Sequence, residues 1–106
     1  YTLEEILEIV GGSVKCSFTP RSTRIRPSSI PTDHILVKAA TQCGCKTFGS
    51  PTTSDQALLP MPSVKIGPGD SARSHSANEY ILLQEIEEGI NGYVSILSNL
   101  ERILTV

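Results

Sequence analysis

The last stretch of the sequence constrains the fold most. Leu83, Ile86, Ile90, Tyr93, Leu97, Leu100 and Leu104 recur at helical spacing. They predict a long amphipathic helix with one apolar stripe, which needs a surface to lie against. Gly89 and Gly92 interrupt it, each costing about 1 kcal/mol relative to Ala. Their presence predicts that another segment packs close to the helix there.

The segments before this helix read as an alternation. Thr2-Leu3-Glu4-Glu5 is a capping box, followed by Leu3, Ile6, Leu7 and Val10 at helical spacing and stopped by Gly11-Gly12. Val14, Cys16 and Phe18 alternate with polar residues and predict a half-buried strand ended by Pro20. Residues 19 to 31 are rich in Pro, Ser, Thr and Arg and read as an irregular crossing. A second helix begins at Pro31-Thr32-Asp33, with Thr32 or Asp33 as N-cap. Its apolar face is Ile35, Leu36, Ala39, Ala40 and Cys43, and Gly44 is its C-cap. Short strands are expected at Lys46–Phe48 and Ser63–Ile66, with a short helix carrying Ala57, Leu58 and Leu59 between them. The order helix, strand, helix, strand, helix, strand, helix predicts an α/β fold. In an open α/β sheet, ligands sit beyond the carboxyl ends of the strands. The loops 49–55 and 67–79 are then the candidate site.

Composition narrows the partners. A net charge of −2 over 106 residues leaves no basic excess for phosphates, which argues against nucleic acid. No apolar run is long enough to span a bilayer. Cys16, Cys43 and Cys45 form neither a disulfide framework nor a zinc pair, since Cys43 and Cys45 are separated by one residue. They read as buried, reduced thiols of a cytoplasmic protein.

The chemistry concentrates in Gly67-Pro68-Gly69-Asp70-Ser71-Ala72-Arg73-Ser74-His75-Ser76-Ala77-Asn78-Glu79-Tyr80. The glycines allow a ligand to approach the backbone closely. His75 is a candidate metal ligand. Glu79, four residues on, is placed to hold the imidazole or a substrate group. Upstream, Thr53 and Ser54 carry hydroxyls suited to a substrate carboxylate or an oxyanion, and equally suited to turn formation and capping. Arg26, and after it Arg24, offer bidentate recognition of a carboxylate, whereas Arg21 and Arg73 read as solvated. His34 reads as a surface residue of a helix start. Glu4-Glu5 and Glu87-Glu88 read as a cap and a polar face.

Three segments carry a family resemblance. Pro-Ser-Val-Lys-Ile-Gly-Pro-Gly-Asp (62–70) followed by His-Ser-Ala-Asn-Glu-Tyr (75–80) resembles the final motif of M20 metallopeptidases and deacetylases. Gly49–Asp55 with Gln56-Ala57-Leu58 is similar to that family's pocket loop, and Thr23-Arg24-Ile25-Arg26-Pro27 to its Arg-bearing return segment. The resemblance is strongest to acetylornithine deacetylase-like enzymes of arginine biosynthesis. It implies that residues 1–19 end a lid (dimerisation) domain and that residues 20–106 form the C-terminal part of the catalytic domain, an open α/β sheet. It also implies two zinc ions, with cobalt or manganese as alternatives, His75 as the last protein ligand, and Arg26, Arg24, Thr53, Ser54 and Gly69 as contacts to an N-acyl amino acid.

The family's His-x-Asp pair, bridging Asp and Glu-Glu pair have no counterpart here. No catalytic residue is therefore expected in this chain, which is expected to be inactive alone, to need the rest of a parent polypeptide and to expose a large apolar face. A homodimer through the lid is implied by the family. Other M20 specificities, such as succinyl-diaminopimelate desuccinylase or a dipeptidase, and an inactive remnant that acts only by binding, are the alternative readings.

Overall fold

Thr2 organises the first helix, α1 (Leu3–Ser13). Its hydroxyl accepts from the Glu5 amide at 3.1 Å, and the Glu5 carboxylate accepts from the Thr2 amide at 2.8 Å. The computed structural model describes residues 1–106. Gly11-Gly12 does not stop α1 as expected. The helix runs on to Ser13, whose hydroxyl donates to the Ile9 carbonyl at 2.6 Å, while the Val14 amide donates to Val10 at 3.1 Å.

The second helix, α2 (Ile35–Gln42), starts later than the sequence suggests. The chain turns first, with the His34 amide donating to the Pro31 carbonyl at 3.0 Å. His34 is the N-cap, its Nδ1 accepting from the Leu36 amide at 3.2 Å. The far end matches expectation. Gly44 adopts φ 89°, the Cys45 amide donates to Ala40 at 3.1 Å, and the Gly44 amide donates to Thr41 at 3.0 Å. That pair of bonds is the Schellman motif, which only a left-handed residue can close.

Short 3-10 turns follow at Asp55–Leu58 and Ser71–Arg73, and then the long helix α3 (Leu83–Leu104). No helix is long and apolar enough to cross a membrane.

The α/β expectation is overturned, and the open sheet with it: the molecule is helical and contains no strand. Residues 14–18, 46–48 and 63–66 are outside any ladder. Outside the helices, every backbone–backbone hydrogen bond is local, spanning at most five residues. A strand is defined by its partner. The alternation of Val14, Cys16 and Phe18 meets no second segment within the chain that pairs with it, so the pattern is present and the sheet is not.

The molecule is correspondingly open. Its radius of gyration is 18.3 Å, against about 13 Å for a compact chain of this length. Val37, Ala39 and Asn99 are its only buried residues. The core is the crossing of α2 with α3, the one pair of elements in extended contact. Two of the three expected buried thiols are exposed, Cys16 and Cys43, and all three cysteines are unpaired.

The packed face of α3 is not the apolar stripe. Glu85, Gly89, Gly92, Ile96, Asn99 and Ile103 are sheltered, each one residue before a member of the expected stripe, and of the stripe itself only Leu100 is sheltered with them. One residue is about 100° of helix rotation. Leu83, Ile90, Leu97 and Leu104 consequently stand 81%, 60%, 62% and 67% exposed. The close approach expected at the glycines is realised at Gly89, where a Cβ would lie 2.8 Å from the Pro68 side chain. At Gly92 a Cβ would meet nothing within 4 Å.

Candidate functional site

The loop that carries His75 is fastened to α3 at several points. Pro68 lies on Gly89, and the Tyr93 hydroxyl donates to the Ile66 carbonyl at 2.8 Å. Between them is a small cavity of about 150 Å³, lined by Cys45, Ile66, Gly67, Gly92 and Ile96 among others. Gly69 has φ 83°, and a Cβ there would come within 3.3 Å of the Ile81 side chain. Both ends of the loop therefore converge near the start of α3.

Arg73 was expected to be solvated and is not. Its guanidinium pairs with both carboxylate oxygens of Glu85, Nη1 to Oε2 at 2.8 Å and Nη2 to Oε1. Only 19% and 21% of the two side chains remains exposed. The Tyr80 ring lies under the same guanidinium, 4.9 Å from ring centre to Cζ, a cation–π contact. Glu85 also accepts from the Leu82 amide at 2.8 Å, at the head of α3. These bonds, the Arg73 pair first and the Leu82 amide second, lower the Glu85 carboxyl to a pKa of about 2. Glu85 in turn raises the Arg73 pKa.

His75 sits at the exposed crest of this loop with φ 59°, in the left-handed region. Such a backbone is uncommon for a residue with a Cβ and persists only where surrounding contacts hold it. Two contacts do so. The Glu79 carboxylate accepts from the His75 amide at 3.1 Å, and the Ser76 hydroxyl donates to the Arg73 carbonyl at 2.5 Å. Glu79 thus engages the His75 backbone and not its ring. Asn78, with φ 57°, makes the second left-handed turn before Tyr80.

Residues 49–56 are bonded to the segment that precedes Gly67 and not to the His75 loop itself. The Gln56 side-chain amide donates to the Ser63 carbonyl at 2.7 Å, and Lys65 Nζ donates to the Thr52 hydroxyl at 3.4 Å. Ser50 and Thr52 share a hydroxyl hydrogen bond of 2.7 Å. Thr53 is exposed. Ser54 stands at the N-cap of the 3-10 turn, but its side chain makes no capping bond.

Arg24 and Arg26 belong to a different neighbourhood. The Arg24 amide donates to the Ser22 hydroxyl at 3.2 Å, and Arg26 Nη2 lies 3.5 Å from Glu4 Oε1 on α1, both side chains largely solvent-exposed. The Glu4 carboxyl is lowered from its ordinary pKa, chiefly by a hydrogen bond from its own backbone amide and secondarily by Arg26. No hydrogen bond or ion pair joins either arginine to the His75 loop. The structure therefore ties residues 49–56 to residues 63–65, joins them to the His75 loop by no hydrogen bond or element contact, and leaves the arginines beside α1.

Set against known proteins, the sequence matches no family model and no curated protein.

The donor set defines what the chain can hold. No three His, Cys, Asp or Glu side chains cluster anywhere in it. A stable zinc site needs three or four protein ligands, so these residues do not build one alone. His75 stands without a second ligand beside it: it is exposed and its ring makes no hydrogen bond within the chain, while its backbone is held from both sides. The groove of about 360 Å³ between α2 and α3, lined by Gln42, Ser95, Ser98, Asn99 and Arg102, lies at the other end of α3.

Sequence reasoning missed two contributors. Asn99 is buried on α3 and donates to the Ala39 carbonyl at 3.1 Å and to the Gln42 side chain at 2.9 Å. Nothing in the apolar pattern marks it. The Arg73–Glu85 pair had a faint signal: Arg73 is the only lysine or arginine between Lys65 and Arg102, amid several carboxylates that could pair with it.

Proposed function

We propose that this chain contributes one metal ligand, His75, to a zinc-dependent amidohydrolase that removes the acyl group from an N-acyl amino acid, resembling acetylornithine deacetylase of the M20 family. The supporting observation is the His75 loop. An exposed imidazole without an internal partner stands on a left-handed backbone that Glu79, Ser76 and the Arg73–Glu85 pair hold in place. A surface histidine with no task has no need of such a mount.

The remaining ligands and the proton-shuttling carboxylate come, in this reading, from protein outside these 106 residues. The exposed apolar faces of α1 and α3, including Ile6, Ile9, Leu83, Ile90 and Leu97, offer surface for that remainder. Zinc acts as a Lewis acid that makes water nucleophilic near neutral pH.

The residues of this chain bind and orient. The hydroxyls of Thr53 and Ser54 serve the acyl amino acid, and Gly69, lacking a side chain, lets it approach the loop. Arg26 or Arg24 serves its carboxylate, which requires the segment that carries them to leave Glu4 on α1 and swing to the His75 loop. Residues 1–19 join the lid and carry dimerisation, with α1 offering an unburied apolar face for it. The three unpaired cysteines favour the cytoplasm as the place of work.

The test is His75→Ala in the protein as the cell makes it, read by metal content and by deacetylation of a panel of N-acyl amino acids. The expected result is loss of bound zinc together with activity. Two zincs still bound, with undiminished turnover, would overturn the assignment.

A further inference from the structure

The apolar stripe of α3 recurs at alternating intervals of three and four residues. Leu83, Ile90, Leu97 and Leu104 fall at heptad position a, and Ile86, Tyr93 and Leu100 at position d. Every a and d position is apolar and none is charged, the pattern of a seam that receives another helix. The chain does not fill this seam. Instead α2 packs on the side of α3 that holds Asn99, and residues 66–68 line a cavity with Gly89, Gly92 and Ile96. That side lies about 100° round the helix. The four a residues are left between 60% and 81% exposed.

We infer that the seam docks the α3 of a second copy of this chain, in parallel and in register. The area suffices. The chain exposes 8933 Å², about 3,000 Å² beyond a compact chain of its mass, and a stable dimer needs about 800 Å² from each partner. Charge sets the direction. Glu87 and Glu101 flank the seam at position e. In an antiparallel pair the e sides face each other and bring Glu87 toward Glu101 of the partner subunit. In a parallel pair each glutamate faces position g, where Leu82, Gly89 and Ile96 carry no charge. Parallel register also sets Tyr93 on its own copy. Its hydroxyl already donates to the Ile66 carbonyl at 2.8 Å, so the ring can be covered without stranding a donor. The g side is sheltered by the chain's own packing at Gly89, Ile96 and Ile103. The seam therefore has room for one further helix and closes as a two-fold dimer. This inference does not depend on the reading of His75. Protein outside the chain competes for the same face, and the experiment separates the two occupants.

Sedimentation equilibrium of the full chain is expected to show a dimer at micromolar concentrations and, on dilution, the open monomer described above. In parallel register residue 90 meets itself. Ile90→Glu and Ile90→Lys, at a position 60% exposed and so free of a folding role, are each expected to weaken association about 100-fold or more by like-charge contact. Mixed one to one, the two variants are expected to form a dimer again. Asn91→Lys, one residue round the helix from the seam, is expected to leave association unchanged. Circular dichroism confirms that the variants keep their helices.

A parent chain that stays monomeric overturns the inference and gives the face to another protein. A dimer that persists in both Ile90 variants overturns it by placing the contact elsewhere on the chain. Monomeric variants that fail to pair when mixed overturn it as well, because residue 90 then does not meet its own copy.

Discussion

Pro68 lies so close to Gly89 that a β-carbon on Gly89 would stand 2.8 Å from the proline Cβ and 3.3 Å from its Cγ. The proline ring cannot turn aside as a flexible chain end would. Gly89→Ala is expected to destabilise by about 1–2 kcal/mol, overpacking exceeding the helix-propensity gain. Gly92, three residues on, has free space where its Cβ would be. Gly92→Ala is expected to stabilise by about 0.5–1 kcal/mol. Urea unfolding of the two variants checks the pair of signs. A stabilised Gly89→Ala would mean that the loop does not rest on α3.

Asn99 and Leu97 are expected to behave opposite to their residue types. Asn99→Ala leaves the carbonyl of fully buried Ala39 without its donor and is expected to cost about 1–3 kcal/mol. Leu97 is 62% exposed, and Leu97→Ala is expected to stay within about 0.5 kcal/mol in this chain. Thermal midpoints of the two variants, measured side by side, decide which face of α3 is packed.

Acid is expected to loosen the histidine loop. The Glu85 pKa is lowered from 4.5 to about 2. A lowered carboxyl stabilises the fold above its ordinary pKa, and that contribution disappears as pH falls through the folded value. The loss therefore runs from about pH 4.5 down to about pH 2. Glu85→Gln is expected to show a flatter stability–pH profile in that window, its difference from the parent narrowing toward pH 2. A parallel pair of profiles would mean that the Arg73 pair is not formed in solution.

At α1 the check is the capping box. Thr2→Ala removes the acceptor for the Glu5 amide. It is expected to cost about 1 kcal/mol of helix stability. Helical circular dichroism or exchange rates within Leu3–Ser13 report it.

The helices were legible in the sequence because their signals are local. The Thr2–Glu5 box, the glycine at 44 and the long periodicity before Leu104 are each contained within a few turns. Boundaries slipped where a short-range competitor intervened. The imidazole of His34 took the cap expected of Thr32 or Asp33, and hydrogen bonds from Ser13 and Val14 carried α1 past its glycines. The sheet was misread because alternation records a preference to pair, and pairing depends on a second segment. The face of α3 was misread by one residue because its contacts use Gly89, Gly92 and Asn99. Small and polar groups of that kind permit close approach and score poorly as apolar signal. In the candidate loop the glycines and the lone histidine stood out in the sequence; the Arg73–Glu85 brace did not, since the two side chains meet only after the loop folds back.

The stretch from Val14 to Ser29 is exposed at every position and free of regular structure. A protease needs just such pliant backbone to thread through its cleft. Trypsin should therefore nick this molecule first after Lys15, Arg21 and Arg24, spare the Arg26–Pro27 bond, and release α1 while the paired helices downstream endure. Anything that settles on this tract would register as a slower first cut.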